Sequence, residues 1–198
     1  MILTEILKTL PASDPEQRQL ISGVFWEGYD TLLKTVGDES GYRITYLDGL
    51  LELMSPSRRH ESAKKMISSL LEDYLKAKAI PFFPLGSTTF RKAKLKGGTE
   101  PDESYCLGVE KEVPDLVIEV IVTSGGIDKL EVYRRLGVSE VWFFQSGQLA
   151  IYCLEEGQYN QSKLSRILPN LDINLLQQYV NYSDPLSAIL EFRKQIEG

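Results

Sequence analysis

"PDLVIEVIVTSGGIDKLEVYRRLGVSEVWFF" (residues 114–144) decides how this chain folds. "DLVIEVIV" is an almost unbroken apolar run, the composition of a strand covered on both faces. Gly125 and Gly126 interrupt it. Ile127, Leu130, Tyr133 and Leu136 then fall on one arc of a helical wheel, and Gly137 stands where a left-handed C′ residue ends a helix. "EVWFFQ" reads as the next strand. The stretch is therefore strand, helix, strand, yet Asp115 and Glu119 place carboxylates inside its first apolar run.

Spacing separates those two acids. Residues four apart on a strand share a face but stand about 13 Å apart, too far to hold one small cation. Asp115 is expected at the mouth of its strand as a structural residue. Glu119 needs a partner from elsewhere, and "EPDESY" (100–105) offers Asp102 at the start of the preceding strand. Neighbouring strands lie roughly 4.8 Å apart, so a carboxylate from each can share Mg²⁺ or Mn²⁺, which keep water and phosphate as their other ligands.

Lys129 falls inside the apolar arc of its helix, between Tyr133 and Leu136, while Asp128 and Glu131 fall outside it. An inward lysine either snorkels or directs its ammonium back over the preceding strand, where it positions water or neutralises a reacting phosphate. His60, the single histidine, points toward the face of Ala63, Ile67 and Leu70, and Glu61 points away. His60 is a candidate for contacting a metal-bound water or substrate, or for a structural hydrogen bond. Glu52, closing a hairpin, is a weaker candidate.

Working outward, "YRITYLDGLLELMSP" alternates and turns at Asp48-Gly49, a hairpin signal. "FWEGYDTLLKTV" and "SRRHESAKKMISSLLEDYLKAKAI" carry helical periodicity. After Pro81 the pattern is β-like over "FFPLGSTTFRKAKL", with a "KGGTEPD" loop. "QLAIYCLE" is a late strand, and after "LSRILPNLDINLLQQYV" a last short helix, "PLSAILEFRKQIEG", closes the chain. The expected architecture is α/β: one mixed β-sheet flanked by α-helices, with an N-terminal helix and hairpin. Residues 1–25 are expected to form a loosely tied extension and 26–198 a single domain.

At 198 residues, 42% hydrophobic and 25% charged, the chain can bury a substantial core. Two cysteines make no disulfide framework. No apolar run nears the roughly 20 residues that cross a bilayer, and the first residues lack a signal-peptide pattern, so a cytoplasmic protein without membrane contact is expected. A net charge of −6 and a pI near 5.0 argue against a general nucleic-acid coat but leave room for a nuclease. "RKAKLK" (91–96), with Arg91, Lys92 and Lys94, is the best candidate for meeting DNA phosphates, or else a lysine-protected strand edge. No GxGxxG, Walker loop, GxSxG, HExxH or CxxC is present.

Taken together, "LDGLLELMSPSRRHE", "GSTTFR", "EPDESY" and the 114–144 stretch, in that order, resemble the PD-(D/E)xK restriction-endonuclease-like superfamily. More closely, residues 26 to about 180 resemble its Uma-two family of putative restriction endonucleases. The resemblance implies a restriction-endonuclease-like core and Mg²⁺- or Mn²⁺-dependent hydrolysis of DNA. By position it makes Asp102 and Glu119 the metal ligands. The strand lysine of that pattern should stand at residue 121, where this chain has Ile121, so Lys129 takes the role from the helix. "TSGGI" likewise replaces a more usual Ser-Pro-Ser type of loop. A homodimer is expected, because many nucleases of this fold cut duplex DNA as pairs. The competing readings are a catalytically idle module that binds a partner or itself, and a metal phosphoesterase acting on nucleotides.

Overall fold

The computed structural model describes residues 16–36, 41–123 and 126–197. Two sheets stand where one was expected. The first has the order β1-β3-β2-β6-β5, built from Gln17–Ile21 (β1), Arg43–Leu47 (β2), Leu50–Ser55 (β3), Phe90–Lys92 (β5) and Gly97–Thr99 (β6). The second has the order β11-β10-β9-β8-β7-β4, from Phe82–Pro84 (β4), Glu103–Leu107 (β7), Leu116–Ile121 (β8), Glu140–Gln145 (β9), Gln148–Glu155 (β10) and Gln158–Ser162 (β11). Among the described residues five α-helices accompany them: Trp26–Val36 (α1), Arg58–Ala77 (α2), Lys129–Leu136 (α3), Ile173–Val180 (α4) and Pro185–Glu197 (α5).

Local chemistry accounts for the main joints. Asp48 and Gly49, both with positive φ (46° and 90°), make the two-residue turn that closes Leu47 onto Leu50. Ser57 caps α2 by accepting from the His60 N–H, and Gly137 ends α3 at φ 86°. β8 and β9 pair in parallel, Glu119 opposite Phe143, so the chain must cross over between them, and α3 is that crossover.

β8 is covered on both faces, as its composition requires. Leu116, Ile118 and Val120 pack with Ile67, Leu70, Leu71 and Tyr74 of α2 and with Leu176 and Phe192 of α4 and α5. Val117 packs the other way, with Val132, Tyr133 and Leu136 of α3 and Phe90 of the first sheet. Glu119, two residues on from Val117, shares that second face. α3 thus lies between the sheets and over the one acid of β8.

Two local expectations change. Residues 17–21, read as part of a loose extension, pair along their whole length with Leu51–Ser55. The "KGGTEPD" loop contains strand β6, because its glycines serve close packing rather than a turn. A Cβ on Gly98 would collide with the Tyr29 hydroxyl and the Arg91 Cβ. No helix among the described residues is long and apolar enough to cross a membrane.

Candidate active site

Lys129 Nζ donates to Glu119 Oε2 at 2.6 Å, and the Tyr133 hydroxyl donates to Glu119 Oε1. The helical arc that turns Tyr133 inward also turns Lys129 inward, one turn earlier, so both reach back over β8. Glu119 is 1% exposed. Burial pushes its carboxyl above the usual range, Lys129 opposes that, and the charge of Asp102 adds to it. The Lys129 ammonium is held up in turn by Glu119 and Asp102, against its own burial.

Asp102 lies where the strand register puts it. β7 pairs with β8 antiparallel, Glu103 opposite Ile118, and one further step sets Asp102 across from Glu119. Its Oδ2 accepts from the Val120 N–H at 2.7 Å, which fixes the carboxylate beside Glu119. Its Oδ1 stands 2.9 Å from His60 Nε2. That contact is a buried ion pair, which favours the charged form of each partner. Burial would raise the Asp102 carboxyl, but His60, Lys129 and the Val120 N–H outweigh it and hold the group below its ordinary value. Arg43 Nε is 3.9 Å from the same oxygen.

The other ring nitrogen of His60 meets Glu16 Oε2 at 2.9 Å. Burial would lower the imidazole pKa, yet contact with Asp102 and Glu16 holds it up at about 9. Glu16 also accepts from the Thr123 hydroxyl at 2.5 Å and from Arg18 at 3.4 Å. Arg18 donates to Glu52 Oε1 at 3.0 Å, and Glu52 Oε2 accepts from the Ile127 N–H at 2.9 Å. This chain of contacts ties β1, β3 and the turn before α3 together. Gly126 is required there: at φ +139° its missing Cβ leaves room for Glu52 Oε2 and Arg18 Nη1. A cleft of about 270 Å³ opens at this point, lined by Arg18, Glu119, Ile121, Thr123, Gly126 and Lys129.

Asp102, Glu119, Lys129 and His60 therefore converge. Arg91, Lys92 and Lys94 do not join them. Arg91 is paired with Asp30 and, with Lys34, Arg43 and Thr89, lines a separate cleft of about 550 Å³. Lys92 and Lys94 sit at the edge of the first sheet and in the turn after it. Sequence reading missed Glu16, Arg18 and the Tyr133 hydroxyl. Tyr133 was legible as a polar tip on the inward arc, whereas Glu16 and Arg18 sit outside any pattern that points at the site. Asp115 is structural as expected, accepting from the Leu107 N–H and pairing with Lys111.

The fit to a divalent cation is narrow. Among the described residues no three His, Cys, Asp or Glu side chains are gathered to hold one. Asp102 Oδ1 already meets His60 Nε2 at 2.9 Å, and both Glu119 oxygens already carry protein donors. Glu119 can join an ion only by exchanging Lys129 or Tyr133.

A family model described as "Putative restriction endonuclease" matches residues 26–181. No curated protein matches the chain. Among solved structures, a protein described as a putative nuclease belonging to DUF820, from Anabaena variabilis ATCC 29413, is similar with a TM-score of 0.47. It is 12% identical, over 76% of this chain and 90% of that one.

Proposed function

The chain belongs to the Uma2 family of putative restriction endonucleases, and we propose that it is a divalent-metal-dependent endonuclease that hydrolyses DNA phosphodiester bonds. The observation that carries this reading is the gathering of an acid, a second acid and an ammonium in one place. Asp102 faces Glu119 across the β7–β8 register, and Lys129 Nζ is 2.6 Å from Glu119. Asp102 and Glu119 are the residues that would hold Mg²⁺ or Mn²⁺, which when bound lowers the pKa of water and offsets charge on the phosphate. Lys129, already desolvated, orients the attacking water or donates to a phosphate oxygen as charge develops there. The buried apolar walls of β8 and α3 keep the local dielectric low, so these contacts count for more than in water. Arg91, Lys92 and Lys94 meet the DNA backbone away from the reacting bond.

The test is cleavage of plasmid DNA by the purified protein with Mg²⁺ or Mn²⁺, against the same protein in chelator. Cleavage should need metal and vanish in Asp102→Asn with the circular dichroism spectrum unchanged. Equal cleavage by wild type and Asp102→Asn would sink the assignment.

One observation favours a second reading, a nuclease-fold module that binds a partner without catalysis. Lys129 and Tyr133 occupy both oxygens of Glu119, which closes that acid to an ion. On that reading the folded wild type neither binds Mn²⁺ nor cuts DNA under any metal.

A further inference from the structure

The cleft at Lys129 continues past the end of β8. Val120 and Ile121, which line it, also line a narrow joint of about 110 Å³ whose other walls include Val122, Phe144 and Arg59. Arg59 and Phe144 in turn line a groove of about 710 Å³ between α2 and the joint of α4 with α5. Three clefts that share walls in succession make one track round the end of β8. Its outer part sets apolar surface from Met66, Phe144 and Ile189 beside the cations of Arg58, Arg59 and Lys65. We infer that this groove binds a single-stranded stretch of nucleic acid, the strand that runs on from the reacting bond.

Charge identifies the partner. Arg58 and Arg59 are both exposed, and among the described residues neither has an ion pair. The other seven arginines of the chain each pair with a carboxylate. In a protein of net charge −6, two adjacent arginines without acids stand out as open to an anion from outside. Their planar guanidinium forks match phosphate oxygens in pairs. The one acid of the groove, Glu61, is already committed to Lys64 at 2.6 Å.

The walls select the form of that phosphate chain. A duplex keeps its bases stacked inside and presents phosphates, so apolar walls offer it nothing. An unpaired strand exposes base faces, which pack on aromatic and apolar side chains while its phosphates meet cations. Tyr182 lines the groove 40% exposed, steadied by the ring of Tyr179 and by its hydroxyl's bond to Glu191, and so offers a fixed stacking platform. The narrow joint beside Ile121 admits one strand and not two. The inference rests on the reading of the chain as a DNA hydrolase and adds the form of the substrate beside the reacting bond.

The test is fluorescence anisotropy of a labelled oligothymidylate, and of a duplex of equal length, with the full chain in chelator. The single strand should bind about tenfold tighter or more. Arg58→Ala combined with Arg59→Ala should weaken it by about tenfold or more. The same pair should lower the slope of log affinity against log salt by about 1.4, two phosphate contacts at about 0.7 each. Tyr182→Ala should lose from about fivefold to a hundredfold, and Tyr182→Phe should keep the affinity. Unchanged affinity in these variants overturns the inference, and a shift in their sedimentation would then give the groove to a second copy of the chain. A wild type that binds no oligothymidylate also overturns it, while metal-dependent plasmid cleavage by that protein keeps the nuclease reading. Binding that the variants lose, in a protein that never cuts DNA, keeps the groove and sinks the nuclease reading.

Discussion

Lys129 Nζ and Glu119 Oε2 are 2.6 Å apart, although the lysine stands ten residues further along the chain and on a different element. The strand position that would carry a lysine in the resembled motif is Ile121, whose side chain borders the same cleft. A helix that begins with an inward lysine and folds back over its own preceding strand brings an ammonium to Glu119 from outside that strand.

Lys129→Met should therefore reduce metal-dependent DNA cleavage by roughly a hundredfold or more, the usual loss when a charge stabiliser is removed. It also leaves Glu119 buried without its cation, at a cost of about 3 kcal/mol unless the carboxyl takes up a proton. Plasmid nicking and urea unfolding read the two effects separately. Cleavage within twofold of wild type would remove Lys129 from the chemistry.

The metal-free protein should lose stability in the weakly basic range. The His60 pKa is about 9 in the fold against 6.5 for the free side chain. A pKa raised by folding contributes fully below the unfolded value and is lost as pH rises through the folded one, here from about 6.5 to 9, by on the order of 3 kcal/mol. Glu119, pushed up by burial, adds a loss of the same sign at lower pH. Denaturation midpoints measured across this range should fall in wild type and stay flatter in His60→Gln. Equal slopes in the two proteins would contradict the assignment.

Gly126→Ala should cost about 1–3 kcal/mol from backbone strain at φ +139°, and more if Glu52 and Arg18 cannot move aside. Since that turn sets the start of α3, cleavage should fall along with stability. A variant as stable and active as wild type would show that the turn has slack.

Glu140 provides a control remote from the chemistry. It is fully buried and accepts from Trp142 Nε1 at 2.6 Å and from the Arg166 N–H at 2.9 Å. Glu140→Leu strands those donors and should destabilise the protein by about 2–4 kcal/mol, while the still-folded fraction keeps its Mn²⁺ affinity. Lost affinity in folded variant protein would mean that the two regions are coupled.

The sequence by itself determined what is local. Periodicity near 100° per residue turned Lys129 and His60 inward, Asp-Gly and Gly137 placed a hairpin and a helix end, and strand spacing separated Asp115 from Glu119. It also sent Glu119 to Asp102, because two strands with acids near corresponding ends can pair in only a few registers. The tertiary structure alone decided the rest. It divided the strands into two sheets, closed α3 between them and brought Arg18 to Glu52 across 34 residues and Glu16 to His60 across 44. Those contacts follow no period. An ion pair between distant segments is set by which surfaces the whole core leaves facing each other, and hydrophobic patterning specifies the core without naming the polar groups that meet at its edge.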